Sequence, residues 1–366
     1  MRIVIVGGGV IGCAAAYYLA RAGAQPVVSE RGGIAGEASG AAAGMLIPPV
    51  ESAPPGPFRD LCLASLALYR DLVPTLEAES GVDVQYRAPG ILLTAEGEAR
   101  AHAMRAYVRW QNAQGREAEW VEGEALRRLE PALSPHLLGA AYLPGEGHLN
   151  PGSLTQAFAR AAQRHGAEVR PGHAVAGFVP RGGRVAGVRA ASGQTTEADA
   201  VVLAVGSWTG RLATRLGATV PVRPMRGQMI AYRSTALRRM VWGEDGYLVP
   251  KAGGSLFAGA TVEDVGFRCR TTAAGLTRLR GMARRLAPAL RYAEVASEWA
   301  GLRPGSPDGL PIIGRLPGWE NVYVAAGHFR NGILLAPVTG KLVSQLVLEG
   351  RTDTDLRPFD PARFAP

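Results

Sequence analysis

Residues 2–12 read RIVIVGGGVIG, and the fold is decided there. Arg2 to Val6 is a short β-branched run bounded by glycine, the pattern of a buried parallel strand. Gly7, Gly9 and Gly12 then fit GxGxxG, and the Ala-rich stretch from Cys13 to Arg21 predicts a helix. Each glycine has its own task. The first makes a tight turn, the second lets backbone approach a pyrophosphate, and the third lets helix pack on strand. Val10 and Ile11 open the helix, where unpaired N–H groups and the positive end of the dipole face phosphates.

Further along, Pro26 to Ser29 predicts a second strand that runs into Glu30, about twenty residues after the glycines. A carboxylate there accepts hydrogen bonds from a ribose diol. It would repel a 2′-phosphate, which disfavours NADP even with Arg31 alongside. Strand, turn, helix, strand and acid in this order predict a dinucleotide-binding unit.

An NAD dehydrogenase would continue with further βα units, and this chain does not. Residues 33–46 (GIAGEASGAAAGML) are small and nearly uncharged, which suits backbone running against a flat ring system. Ala38, Ser39, Ala43, Gly44 and Met45 are the candidate contacts. Two more strands are expected at 198–205, ending in Gly206-Ser207-Trp208, and at 321–326, ending in Gly327-His328. Ligands of such sheets sit beyond the carboxyl ends of the strands, so three glycine-ended strands imply one long ligand. FAD is long enough. The helix expected over 333–348, after Gly332, aims its N-terminal amides at the electron-rich pyrimidine edge of a flavin.

The organisation expected is therefore α/β and discontinuous. A Rossmann-type FAD-binding domain takes residues 1–83, 145–221 and 301–366; a substrate domain takes 84–144 and 222–300. Strand candidates at 227–232, 247–249 and 255–260, followed by an Arg-rich helix over 272–286, predict an antiparallel sheet with helices for the second domain.

With 366 residues, 47% of them hydrophobic and 19% charged, the chain is large enough for two domains and too apolar for disorder. The formal charge of +9 raises nucleic acid as a partner. However, the basic residues are arginines scattered along the chain, with only Lys251 and Lys341 as lysines, and no basic stripe interleaved with aromatics. Nucleic-acid binding is not expected. Cys13, Cys62 and Cys269 lie far apart without CxxC spacing, which argues against disulfides and metal and fits a reducing cytoplasm. Residues 3–20 carry no charge, and Val10-Ile11-Gly12-Cys13 resembles a lipoprotein cleavage site. The Gly7-Gly8-Gly9 break leaves no continuous apolar helix, so neither export nor a membrane span is expected.

Trp299 to Pro311 (WAGLRPGSPDGLP) sets Arg303 in a Gly/Pro-rich run. A guanidinium held by rigid backbone suits a bidentate grip on a carboxylate, which Lys cannot reproduce. The competing reading pairs Arg303 with Asp308 or Glu298. Tyr247 either offers its O–H to the same carboxylate or is a core tyrosine.

The segments GGGVIG, SGAAAGML, VVLAVGSW, YLVP, FAGAT, WAGLRPGSPDGLPIIG and AAGHFRNGILLAP occur in one order. Through them the chain resembles the D-amino-acid oxidase superfamily of FAD enzymes over essentially its full length, and within it the bacterial glycine oxidases. The resemblance implies that Arg303 clamps the substrate carboxylate, that Tyr247 hydrogen-bonds it, and that Arg330 lies near the amine, its backbone carbonyl being the amine's partner. It places Met45, Glu51 and Val262 at the pocket mouth. Asp245 stands where such oxidases tend to carry His. It adds cofactor contacts at Val175, Trp208, Phe329, Arg330, Asn331, Ile333 and Leu334, with His328 packing on the flavin without a proton role. Gly301 stands where monomeric sarcosine oxidases carry a flavin-linking Cys, so FAD is expected to be non-covalent.

The activity implied is oxidative deamination of glycine, sarcosine or small D-amino acids. Hydride passes from Cα to flavin N5, dioxygen becomes hydrogen peroxide, and the imine is hydrolysed or passed to thiamine thiazole synthesis. A homo-oligomer, dimer or tetramer, is expected. A D-amino-acid or sarcosine dehydrogenase using another acceptor is the alternative.

Overall fold

A computed structural model describes residues 1–48 and 55–365. Six strands form one sheet in the order Ile312–Arg315, Val322–Ala326, Ala200–Leu203, Arg2–Val6, Gln25–Ser29 and Glu168–Arg170. All neighbours are parallel except the first pair. The three glycine-ended strands are thus adjacent at the centre, and their carboxyl ends open at one place. Arg2–Val6 reads as continuous apolar sequence because both of its faces are covered. Ile3 and Ile5 face the helices Val10–Arg21, Pro57–Ser80, Pro151–Arg164 and Gly332–Glu349. Val4 and Val6 face a three-stranded antiparallel sheet, 175–197, and the turns around Leu212 and Leu216. That second cover was not anticipated, because its strands are half exposed and short of apolar alternation.

The second sheet has nine strands, antiparallel but for the pair Met240–Trp242 with Ile91–Ala95. The strands expected at 227–232 and 247–249 lie within Arg223–Arg233 and Tyr247–Lys251, and the one expected at 255–260 is found at Ser255–Gly259, one residue shorter. Alternation separates the two faces. Ile230, Leu248 and Leu256 pack under the helix Ala273–Leu286, which Thr272 caps by accepting from Gly275 N at 3.2 Å. Met229, Trp242 and Tyr247 point the other way.

The strand Val295–Gly305 pairs with Arg223–Arg233 along its length, and the chain then enters the first sheet at Ile312. A β-bridge between Gly305 and His328 joins the two units at that crossing. Phe329–Glu349 is long and apolar enough to cross a membrane, but 67% of its most apolar stretch is buried, packed on the Val10–Arg21 and Pro57–Ser80 helices.

Candidate active site

A cavity of about 860 Å³ runs from the carboxyl ends of the central strands to the inner face of the second sheet. At one end Gly7 has φ +114°, and a Cβ on it would stand 2.4 Å from the Ala204 carbonyl oxygen. Gly9 precedes a helix with no side-chain cap and no acid in its first turn, so the amides there remain for a ligand's phosphates. Val10 N alone is taken, donating to Ser39 Oγ at 2.9 Å.

Glu30 accepts from Gly8 N and Gly32 N, both at 2.7 Å, which fixes its carboxylate at the cavity wall. Arg31 pairs with Glu37 and lies over Trp208, 3.8 Å from the ring centroid. Arg211 lies 3.6 Å over Phe267, whose ring is 5.4 Å from Trp208. With Arg215 lining the same stretch, this end suits an acidic nucleotide.

The middle is small by design of the chain. Ala38, Ala41, Ala42, Ala43 and Gly44 line one wall, and Gly301 the facing one, its place for a Cβ only 2.7 Å from that of Ala41. Trp299 Nε1 donates to Ala41 O at 3.0 Å and holds the wall in place.

At the inner end Arg303 and Arg330 converge. Arg303 donates to Thr261 O at 3.0 Å. Burial lowers its pKa from the usual guanidinium value, Tyr247 opposes that, and the Arg330 charge adds to it. The Cζ of Arg330 is 5.0 Å from the Trp242 ring centroid, and the Trp242 and Tyr247 rings are 5.3 Å apart. The Tyr247 hydroxyl sits 3.5 Å from Met229 Sδ. The buried guanidinium of Arg303 favours an anion beside it. Neither expected internal partner takes Arg303: Glu298 pairs with Arg280 and Asp308 with Arg363.

His328 is buried, with Nε2 3.0 Å from Thr339 Oγ1, and burial pushes its pKa down to about 3. The ring is neutral and anchored. Phe329, Asn331, Gly332 and Ile333 complete this wall, where the helix Gly332–Glu349 begins.

Of the residues singled out in the sequence, Gly7, Gly9, Val10, Ile11, Glu30, Arg31, Ala38, Ser39, Ala43, Gly44, Met45, Val175, Gly206, Trp208, Tyr247, Arg303, His328, Phe329, Arg330, Asn331, Gly332 and Ile333 line this one cavity. Gly12 does not: a Cβ there would come within 2.0 Å of Gly7 O, so its role is helix-to-strand packing. Leu334 is in the core, its carbonyl accepting from Ser65 Oγ at 2.6 Å. Asp245 does not line it either. The turn 243–246 breaks the alternation before Tyr247, and Asp245 swings out to Arg285 and Arg278. Val262 is 50% exposed, because Thr261 takes the inward position beside Arg303 and Gln228. Glu51 lies outside the described residues. Gly227, Met229 and Trp242 line the inner end and were not anticipated; they sit on strands whose cavity face only the sheet register reveals.

The sequence from residue 2 to 346 matches the DAO family, described as FAD dependent oxidoreductase. The chain belongs to this family.

A glycine oxidase of Geobacillus kaustophilus is 38% identical over 99% of this chain and 96% of its own. The bifunctional protein ThiO/ThiG of Synechocystis is 36% identical over 99% of this chain, which spans 54% of that protein. The crystal structure of glycine oxidase from Geobacillus kaustophilus superposes with a TM-score of 0.94 at 35% identity, covering all of both chains. As a DAO-family protein the chain is an FAD-dependent oxidoreductase, and its residues fit that cofactor. The glycine cradle is too tight for side chains, the amides of Gly9 and Ile11 have no hydrogen-bond partner among the described residues, and the small-residue wall leaves room for a planar ring. No group of His, Cys, Asp or Glu able to hold a metal occurs among the described residues.

Proposed function

We propose that this DAO-family enzyme oxidises the carbon–nitrogen bond of glycine and other small amines such as sarcosine and small D-amino acids. The convergence of Arg303, Tyr247 and Arg330 on the inner end of the cavity carries the reading. Arg303 holds the substrate carboxylate from a strand paired along its length with Arg223–Arg233, and the Tyr247 hydroxyl turns from Met229 to the second carboxylate oxygen. The Arg330 charge disfavours an ammonium and promotes the neutral amine that oxidation requires, while its backbone carbonyl accepts from that amine. His328, neutral and held by Thr339, takes no proton.

Bound FAD supplies the two-electron acceptor for the Cα hydrogen and returns the electrons to dioxygen as hydrogen peroxide. The chain's own contribution is orientation and exclusion of water. The imine product reacts with water to give an oxo acid and ammonia. Similarity to the ThiO/ThiG protein supports supply of that imine to thiamine thiazole formation in the cytoplasm. Trp242, Met229 and Tyr247 crowd the space beside the guanidinium, which favours a substrate with little or no side chain.

Anaerobic addition of glycine, sarcosine and D-alanine in turn, followed at the oxidised-flavin band at about 450 nm, tests the reading. Glycine should bleach it. A spectrum unmoved by all three would refute the substrate class. An oxygen electrode then separates an oxidase, which consumes oxygen with glycine alone, from a dehydrogenase that needs an added dye.

A further inference from the structure

A second cavity, about 600 Å³, opens on the outside of the wall that carries Ala43 and Gly44. Its side chains of consequence are Arg87, His148, Arg238 and Lys251, and among the described residues no carboxylate lines it. Arg87 and His148 are set side by side by a two-bond β-bridge, Arg87 N to His148 O at 2.9 Å and His148 N to Arg87 O at 2.8 Å. Arg87 and Arg238 are both exposed and neither guanidinium forms a salt bridge among the described residues, although Arg238 N donates to Glu130 at 2.9 Å and the two charges feel each other.

Lys251 reaches the floor from the end of the Tyr247–Lys251 strand. Its Nζ donates to Leu149 O at 2.8 Å and to Ala43 O, which leaves one N–H of the ammonium. His148 is 2% exposed, and its Nδ1 is buried without a hydrogen-bond partner among the described residues. The cations crowd one another: burial, then Lys251 and Arg87, push the His148 pKa down to about 3, and burial pushes Lys251 down to about 7.

A pocket with an orphaned buried nitrogen, two exposed guanidiniums, an ammonium with one N–H left and no carboxylate among its described lining suits an anion. A carboxylate offers two oxygens in one plane. Donors that arrive from the floor and from two separate rims match a tetrahedral oxyanion better. From this geometry we infer that the cavity binds a phosphoryl group, either free phosphate or the head of a small phosphomonoester. The site is distinct from the cofactor cavity and independent of the substrate reading. It touches the cofactor cavity through Lys251, which holds Ala43.

The test is calorimetric titration of the FAD-loaded enzyme with inorganic phosphate and, separately, with glycerol phosphate, with sodium chloride as the control at matched ionic strength. The wild-type chain should bind a phosphoryl compound saturably, one per chain. The Arg87→Ala/Arg238→Ala variant, altered only at exposed side chains, should keep its flavin colour and bind at least about tenfold more weakly. Tighter binding of the ester than of phosphate identifies a phosphomonoester, and the reverse order free phosphate. Equal titrations for wild type and variant, or a response no different from sodium chloride, would overturn the site.

Discussion

The guanidinium of Arg303 lies over Gly227, where a Cβ would stand 2.3 Å from Nη1 and 2.5 Å from Cζ. The two residues sit on paired strands, Arg303 opposite Met225 and Gly227 opposite Gly301, so both face the cavity. No side chain fits at 227 without moving the arginine. Gly227→Ala should therefore raise the glycine KM by about 10- to 100-fold, equivalent to roughly 1.4–2.7 kcal/mol of lost carboxylate binding. FAD content should be unchanged, and steady-state kinetics beside the flavin spectrum would read both. An unaltered KM would mean that the arginine has no positional demand.

Arg303→Leu removes the charge outright. The expected loss is orders of magnitude in kcat/KM, with the yellow cofactor retained. Tryptophan or flavin fluorescence titrated with a simple carboxylate such as acetate should show weakened binding in the same proportion. Full affinity for that carboxylate in the variant would transfer its recognition to Arg330.

Glu30 is fixed by two backbone amides before any ligand arrives. Glu30→Ala should leave those N–H groups unpaired and remove the ribose acceptor, so that FAD is lost on dialysis. The measurement is flavin absorbance per protein before and after; full retention counts against the ribose role.

His328 offers a pH signature. Its native pKa is pushed down to about 3, below the 6.5 of the free side chain. Above pH 6.5 both folded and unfolded chains carry it neutral, and it contributes nothing. Below that pH the unfolded chain binds a proton that the native one refuses, so stability falls by about 1.4 kcal/mol per pH unit until the native pKa is reached. His148 acts in the same direction. Urea unfolding from pH 7 to 4.5 should show that slope, and His328→Gln should reduce it by one proton; an identical slope in the variant rejects the assignment.

Pro337 lies inside the helix Gly332–Glu349 and has no N–H for the Ile333 carbonyl one turn earlier. The Tyr69 hydroxyl donates to that carbonyl instead. Both groups are buried, so Tyr69→Phe should cost about 1–3 kcal/mol. Because Ile333 lines the cavity, flavin should also leave at lower temperature. A variant that melts and releases flavin like the wild type would show the carbonyl satisfied in another way.

Much of this was legible from the chain. The adjacent glycine-ended strands announced themselves because a parallel strand buried on both faces must be continuously apolar, and its turn must be glycine. The position of Arg303 on the cavity wall was legible because its Gly/Pro-rich surroundings hold the guanidinium on a fixed backbone. Gly227 and Trp242 were not, since a cavity face exists only once register is set. Asp245 and Val262 misled for a related reason: counting by twos from Tyr247 or Thr261 assumes an extended chain, and in both places the backbone turns. The strands of 175–197 lack the apolar alternation that marks a half-buried sheet.

The bridge between Gly305 and His328 sits where one continuous stretch leaves the strand of Arg303 for the sheet that ends at the cofactor wall. Any hinge bending of one sheet against the other would have to tear that pairing apart. The spacing between the Arg303 guanidinium and the cofactor wall is thus set like the jaws of a fixed spanner, and access to the space between them falls to side chains and short loops.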